Sequence, residues 1–266
     1  MLPRMARRLI TTTLAHLSEV VLNRWPDSRR ILLGSLDEQS ILKLVKDYYQ
    51  DSDCSSLRTI MDVGANTGQS AETYARLFPV AQIYSLEPAS EVFEKLCLNL
   101  ATNKKVTPLR FAASDHDGFA NFYHSEFNVA SSLNSPWKAT GTSELVVCKT
   151  IDTISYEMNI RRINILKTDT EGHDLRVLKG AERMLSEGAV DIIIAECGFK
   201  PHDSCHSSFY EIADYLRLYD FNLSGFAEAY NFEWNECFSL LYCNAVFTLS
   251  LAVRVEKGPR TADSPP

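Results

Sequence analysis

The 266-residue chain predicts an α/β fold: a doubly wound, mostly parallel sheet, closed by an antiparallel C-terminal hairpin and preceded by helices. Three observations predict it. From residue 59 onward short β-rich runs alternate with amphipathic helical stretches, the pattern of β-α units joined by crossovers. That rhythm turns antiparallel only between Gly118 and Ile154 and again near the C-terminus. A glycine-rich turn, DVGANTG, sits between the first strand of the series and its helix.

The elements follow in order. Residues 1–57 read as a helical segment that packs on the main domain. Leu9, Thr13, Leu17 and Val20 share one face of its first helix. Ile41, Leu44, Val45 and Tyr48 form one stripe of the second, near Asp37 to Tyr49. The main domain spans 58–254. TIMDVG (59–64) is a strand, and the helix Gln69–Phe78 turns Ala71, Tyr74, Ala75 and Phe78 inward. QIYSLEP (82–88) is a strand, and the helix Glu91–Leu100 turns Phe93, Leu96 and Leu100 inward. VTPLRFAAS (106–114) is a third strand, either at an edge or starting after Pro108. An insertion near 118–154 follows, with FANFYH and LVVCKTIDTI as antiparallel strands. INILKTDT (163–170) and VDIIIAEC (190–197) flank a helix near Asp174–Leu185. A helix near Phe209–Leu218 precedes the hairpin of 221–226 with 245–253. Residues 255–266, with their Pro, Gly and Ser, read as a disordered tail.

Composition excludes several classes. Apolar residues make up 45% and charged residues 23%, an ordinary globular balance. The net charge of -7 opposes nucleic-acid binding, which draws on clustered Lys and Arg. Seven cysteines without a C-x-x-C suit a reducing cytoplasm rather than a disulfide framework. No run of about 20 apolar residues is available to span a membrane. The basic head with Arg4, Arg7 and Arg8 leaves room only for a surface contact by an amphipathic helix.

The chemistry concentrates at strand ends. In DVGANTG the turn Gly64 to Gly68 brings backbone close to a ligand, and the next helix offers free N–H groups. It lacks the middle glycine of G-x-G-x-x-G and the Gly-Lys-Ser/Thr of a phosphate-binding loop. Asn66 tolerates positive φ in such a turn. Asp62 adds a negative charge that disfavours phosphate, so a cationic, phosphate-free ligand such as S-adenosylmethionine suits the loop. Glu87, which ends the second strand 19 residues past Gly68, is placed to accept hydrogen bonds from ribose hydroxyls. Asp115 ends the third strand and either accepts from an adenine amino group or simply starts the turn D-H-D-G. Lys167, Asp169 and Glu171 alternate in LKTDTEGHD and point to one side of a strand end, with His173 and Asp174 after them. A structural ion pair between Lys167 and Glu171, with Asp174 as helix cap, is the plain alternative. His202, Cys205 and His206 in PHDSCH have a spacing compatible with a helical ligand pair, but the segment reads first as a polar lead-in to a helix, with Ser and Asp suited to capping it, and alternatively as lining for an acceptor pocket beside Glu196.

Residues 59–197 resemble the FkbM-type family of S-adenosylmethionine-dependent O-methyltransferases. The resemblance rests on DVGANTG (62–68), LEP (86–88), AASD (112–115), LKTDTEGHDLRVLKGA (166–181) and IIIAEC (192–197). Asp174 stands where family members often carry Glu. The resemblance implies a seven-stranded, Rossmann-like methyltransferase sheet and methyl transfer to a hydroxyl, often on a sugar or small natural product. In that fold Asp169 faces the transferable methyl. Asp169 then positions acceptor or cofactor, His173 or Glu171 assists proton removal, and Lys167 balances the carboxylates. The sulfonium is already activated, so no metal is expected. A nicotinamide-dependent oxidoreductase and a non-catalytic cofactor-binding module are the alternatives. Acceptor identity and oligomeric state are not written in the sequence.

Overall fold

The computed structural model describes residues 32–34, 38–51, 54–125, 132–134, 139–200, 203, 205–234 and 237–256. The first predicted helix, His202, and residues 257–266 of the predicted tail lie outside the described residues. The strands are β1 (Leu32–Gly34), β2 (Thr59–Val63), β3 (Gln82–Leu86), β4 (Val106–Leu109), β5 (Ala112–Ala113), β6 (Gly118–Ser125), β7 (Ala139–Lys149), β8 (Ile163–Thr168), β9 (Val190–Gly198), β10 (Phe221–Trp234) and β11 (Cys237–Leu249). The helices are α1 (Glu38–Tyr49), α2 (Gln69–Leu77), α3 (Ser90–Leu100), α4 (Ile151–Glu157), α5 (Asp174–Lys179), α6 (Glu182–Ser186), α7 (Phe209–Arg217) and α8 (Leu251–Glu256).

The main sheet has eight strands in the order β1-β10-β11-β9-β8-β2-β3-β4. Only β11 runs antiparallel to its neighbours, β9 and β10. Seven strands give the expected doubly wound sheet, and the three-residue β1 adds an edge beside β10. Side chains alternate between two apolar layers, as the pleat requires. Ile192 and Ile194 of β9 join Leu44, Val45, Ala71 and Leu96 of α1, α2 and α3 on one face. Ile193 and Ala195 join Val177, Met184, Ile212 and Leu216 of α5, α6 and α7 on the other. The stripe of α1 is buried as its periodicity predicted. The chain leaves β2 toward β3 and leaves β8 toward β9, so the winding reverses between the adjacent strands β2 and β8. Ligands of open α/β sheets bind at the carboxyl ends of such strands.

Four boundaries differ from the sequence reading, each for a local reason. The third strand is two pieces: β4 pairs with β3 at the sheet edge, where Pro108 is tolerated, and β5 leaves to pair with β7. Residues 151–154 are helix rather than strand, because the Thr150 side chain caps α4 by accepting from Thr153 N at 3.0 Å. The helix of 174–185 is two helices. At the break, a Cβ on Gly180 would stand 2.0 Å from the Ser114 carbonyl oxygen, and the Asp152 carboxylate accepts from Arg183 N and Met184 N at the start of α6. The last strand stops at Leu249, and 251–256 are helical, so residues 255 and 256 belong to α8 rather than to a tail. The insertion forms a separate three-stranded sheet, β5-β7-β6. No helix among the described residues is long and apolar enough to cross a membrane.

Candidate active site

The carboxyl ends of β2, β3, β8 and β9 surround a cavity of about 500 Å³, a volume typical of small-molecule sites. The small sheet supplies its far wall with Ala112, Ala113, Phe122, His124 and Leu133. Glu228, Tyr242 and Asn244 of β10 and β11 close the side next to Glu196.

The turn after β2 is shaped by three left-handed residues, Gly64 at φ 78°, Asn66 at φ 48° and Gly68 at φ 103°. A Cβ on Gly64 would lie 1.9 Å from the Asp169 carbonyl oxygen. Only glycine lets the β2 and β8 exits approach this closely, and Asp169 N bonds to Val63 O at 3.0 Å across the gap. Glu87, just past β3, accepts from Asn66 N and Ala89 N, each at 3.0 Å, and so fixes the turn from below. Burial pushes its carboxyl up to about 7 even against those two amides.

Beneath the turn, Lys167 donates to Asp169 Oδ2 at 2.9 Å and lies 3.8 Å from Asp62 Oδ1. Burial alone would neutralise the ammonium. The Asp169 and Asp62 carboxylates outweigh it and hold Lys167 charged, above its usual range. Burial in turn raises the pKa of Asp62, which is fully enclosed. The expected alternative pairing of Lys167 with Glu171 is replaced by this triad, and Asp174 accepts from Thr170 N at 3.3 Å instead of capping its helix.

The loop after β8 holds Glu171 in the left-handed region at φ 52°. The insertion anchors it there: Ser132 Oγ donates to Thr170 O and Glu171 O at 3.1 and 2.9 Å, and Asn134 Nδ2 donates to Gly172 O at 2.8 Å. Burial, with Asp169 and Asp174 nearby, pushes the Glu171 carboxyl up to about 8. Burial and the same carboxylates push Glu196 up to about 10. Burial pushes His173 down to about 4, and its Nε2 is 3.0 Å from Ser114 Oγ. The ring is neutral at pH 7 and a weaker base than its ordinary value of about 6.5 implied.

The cavity therefore gathers Gly64, Asn66, Glu87, Lys167, Asp169, Glu171, His173 and Glu196. Asp62 lies under it and Gly68 behind it, against Leu96 and Leu100 of α3. Asp115 is turned away, bonded to His116 Nδ1 at 2.8 Å and to Ser114 Oγ at 3.1 Å, and is outside the cavity lining. Sequence reasoning did not find Glu228, Tyr242 or Asn244. The signal was the pairing of Asn244 opposite Glu196, which only the β11–β9 register reveals. Among the described residues, ligand atoms of Glu171, Glu196 and His206 lie within 4.8 Å of one another, a group capable of holding a cation. Cys205 is not part of that group.

Residues 62–223, more than half of the chain, match the family model described as methyltransferase FkbM domain. Over 175 residues the chain is 29% identical to the hexuronic acid methyltransferase AglP of Haloferax volcanii, a match covering 62% of this chain and 65% of that protein. Among solved structures, the N-terminal domain of human METTL16 in complex with SAH gives a TM-score of 0.43 at 13% identity, covering 84% of this chain and 74% of that one. TrmK of M. capricolum, in complex with S-adenosyl-homocysteine, gives 0.44 at 7% identity, covering 80% and 68%. The fold assignment rests on the strand order above.

Proposed function

Because the chain belongs to the methyltransferase FkbM domain family and takes its methyl group from S-adenosylmethionine, we propose that it methylates a hydroxyl on a sugar or a small natural product. The observation that carries this reading is the strand-end carboxylate Asp169, tied to Lys167 and facing a cavity with both a cofactor side and an open acceptor side. The likeness to a hexuronic acid methyltransferase supports a carbohydrate acceptor. The net charge of -7 favours such a partner over nucleic acid. The family match replaces the nicotinamide-dependent alternative.

The residues present fit the cofactor. Glu87 has two of its hydrogen bonds committed to the turn, which leaves lone pairs for ribose hydroxyls. The Gly64 turn lines the cavity along Gly64, Ala65 and Asn66. Among the described residues the lining carries the carboxyl groups of Glu87, Asp169, Glu171, Glu196 and Glu228 against the single ammonium of Lys167, and a cationic ligand would favour their ionised forms. When bound, S-adenosylmethionine supplies a methyl group already activated by a sulfonium. The protein then has to hold an acceptor oxygen in line with that methyl and exclude water. Asp169 serves that end. It is ion-paired with Lys167 and accepts a hydrogen bond from the acceptor hydroxyl. As the new bond forms, the oxygen becomes positively charged and its proton strongly acidic, and Asp169 receives that proton. His173 is a positioning residue. Through Ser114 it ties the start of α5 to the end of the β5 segment. The seven cysteines, with no C-x-x-C among them, support a reducing, cytoplasmic setting.

The test is a panel of neutral hexoses, hexuronic acids and hydroxylated small molecules incubated with enzyme and cofactor, read by mass spectrometry. A gain of one methyl on a hydroxyl oxygen is expected. A methyl found on nitrogen or carbon ends the reading.

A further inference from the structure

We propose that Glu171, Glu196 and His206 form a divalent-cation site on the acceptor side of the cavity, leaving coordination positions open for acceptor oxygens. The site deepens the hydroxyl-methylation reading and rests on it only for the identity of those oxygens.

Three observations carry it. The candidate ligand atoms, one from each side chain, lie within 4.8 Å of one another. Octahedral ligands about 2.1 Å from one ion stand about 3.0 Å apart when adjacent and about 4.2 Å when opposite, so side-chain rotation has to close the group by at most about 1.8 Å. Next, Glu196 is only 8% exposed, and its Oε2 has no hydrogen-bond partner. A buried carboxyl oxygen left without a partner is costly, and the same side chain supplies one of the three ligand atoms of the group. Finally, His206 is prepared as a ligand. Its Nδ1 is 2.9 Å from Asp203 Oδ2, and its ring stacks on Tyr242 with centroids 4.3 Å apart. A carboxylate on one ring nitrogen fixes the tautomer that leaves the other as a lone-pair donor, as the outer contacts of metal-bound histidines do. Gly198, at the end of β9, makes room for this arrangement, since a Cβ there would lie 2.6 Å from Asp203 Oδ2.

The donor set indicates the ion. Two carboxylates and one imidazole suit Mn²⁺ or Mg²⁺ better than a soft, thiolate-seeking metal. Three protein ligands leave about three positions of an octahedron for water or acceptor oxygens, so vicinal hydroxyls, or a hydroxyl beside a carboxylate, would bind in chelate fashion. The cation would also offset the carboxylates Glu171, Glu196 and Glu228, which Lys167, occupied by Asp169 and Asp62, does not reach as an ion-pair partner.

The test uses the full chain stripped with a chelator and titrated with Mn²⁺ alone, free Mn²⁺ being followed by electron paramagnetic resonance. One saturable site is expected in the wild type. Glu196→Gln and His206→Gln should each weaken it at least tenfold, and Asp203→Asn, acting through the imidazole, should weaken it by about ten- to a hundredfold. S-adenosylmethionine affinity, measured calorimetrically on the same preparations, should stay within about threefold and shows that the variants are folded. Absence of a saturable Mn²⁺ site in the wild type overturns the proposal, whatever the variants do. So does a site that survives all three substitutions. If Mn²⁺ binds as expected while no hydroxyl in the panel is methylated, the acceptor reading falls and the cation site stands.

Discussion

Replacing Glu87 by Gln removes one charge and little volume from the floor of the cofactor side. Glu87 is 6% exposed and spends one oxygen on Asn66 N and the other on Ala89 N. In the Gln variant one oxygen becomes an NH₂ group and confronts a backbone N–H, while the ribose hydroxyls lose a charged acceptor. A hydrogen bond to a charged group contributes about 1.5–3 kcal/mol, so Kd for S-adenosylmethionine at pH 8 should rise by roughly one to two powers of ten. The wild type carries its own control. Its carboxyl is pushed up to about 7 by burial, and the ionised form is the one that accepts two ribose hydrogens. At pH 8 the group is mostly ionised, whereas at pH 6 only about a tenth is, so apparent affinity should fall about tenfold between the two. The affinity is thus present above about pH 7 and lost below it. Glu87→Gln should be flat over the same window. Isothermal titration calorimetry at pH 6, 7 and 8 reads both effects. Equal affinities for the two proteins, with a flat wild-type profile, would refute the assignment of Glu87 to the ribose.

Further outcomes follow from single contacts. Gly64→Ala places a Cβ 1.9 Å from the Asp169 carbonyl at φ 78°; it should lower the melting temperature by several degrees, at about 2–4 °C per kcal/mol for a domain of this size, and abolish cofactor binding. Asp169→Asn should reduce single-turnover methyl transfer by about 10²–10⁴-fold while changing cofactor affinity only a few-fold; wild-type turnover would move the proton acceptor elsewhere. Asp152→Ala removes the acceptor for Arg183 N and Met184 N at 2.7 and 3.0 Å and should cost about 1–2 kcal/mol in urea unfolding, as loss of a helix cap does, with cofactor affinity unchanged.

The parallel half of the sheet was legible because each strand carries its own apolar run and each helix its own stripe; Ile41, Leu44, Val45 and Tyr48 needed no tertiary information. The gathering of Gly64, Asn66 and Glu87 at one cavity was legible for a related reason. Gly64, Asn66 and Glu87 sit at strand exits, and the chain itself announces those exits with Gly and Pro. What escaped depends on partners distant in sequence. Nothing near Arg183 discloses that Asp152 starts a second helix there, and nothing near Asn244 tells that it pairs with Glu196. The pairing of Lys167 with Asp169 and Asp62, rather than with Glu171, follows from Asp62 and Lys167 being register neighbours on β2 and β8, a fact of sheet order and not of local spacing. His206 could be noticed as a ligand type, but its neighbours in space could not: they are Glu171 of the β8 exit loop and Glu196 of β9, not the cysteine and histidine beside it in sequence.

The anchoring of the β8 exit loop by Ser132 and Asn134 has a consequence for redesign. The insertion between β5 and α4 forms its own small sheet and reaches the β8 exit loop through these two side chains. A graft of another insertion at this place would change the cavity wall of Phe122, His124 and Leu133, and would also have to replace Glu144, which holds Ser90 N beside the Glu87 turn. Such a graft must still deliver a hydroxyl to the Thr170 and Glu171 carbonyls and an amide to Gly172 O. Without them Glu171 has no reason to stay at positive φ, and the chimaera would keep its methyl donor while losing hold of whatever is to be methylated.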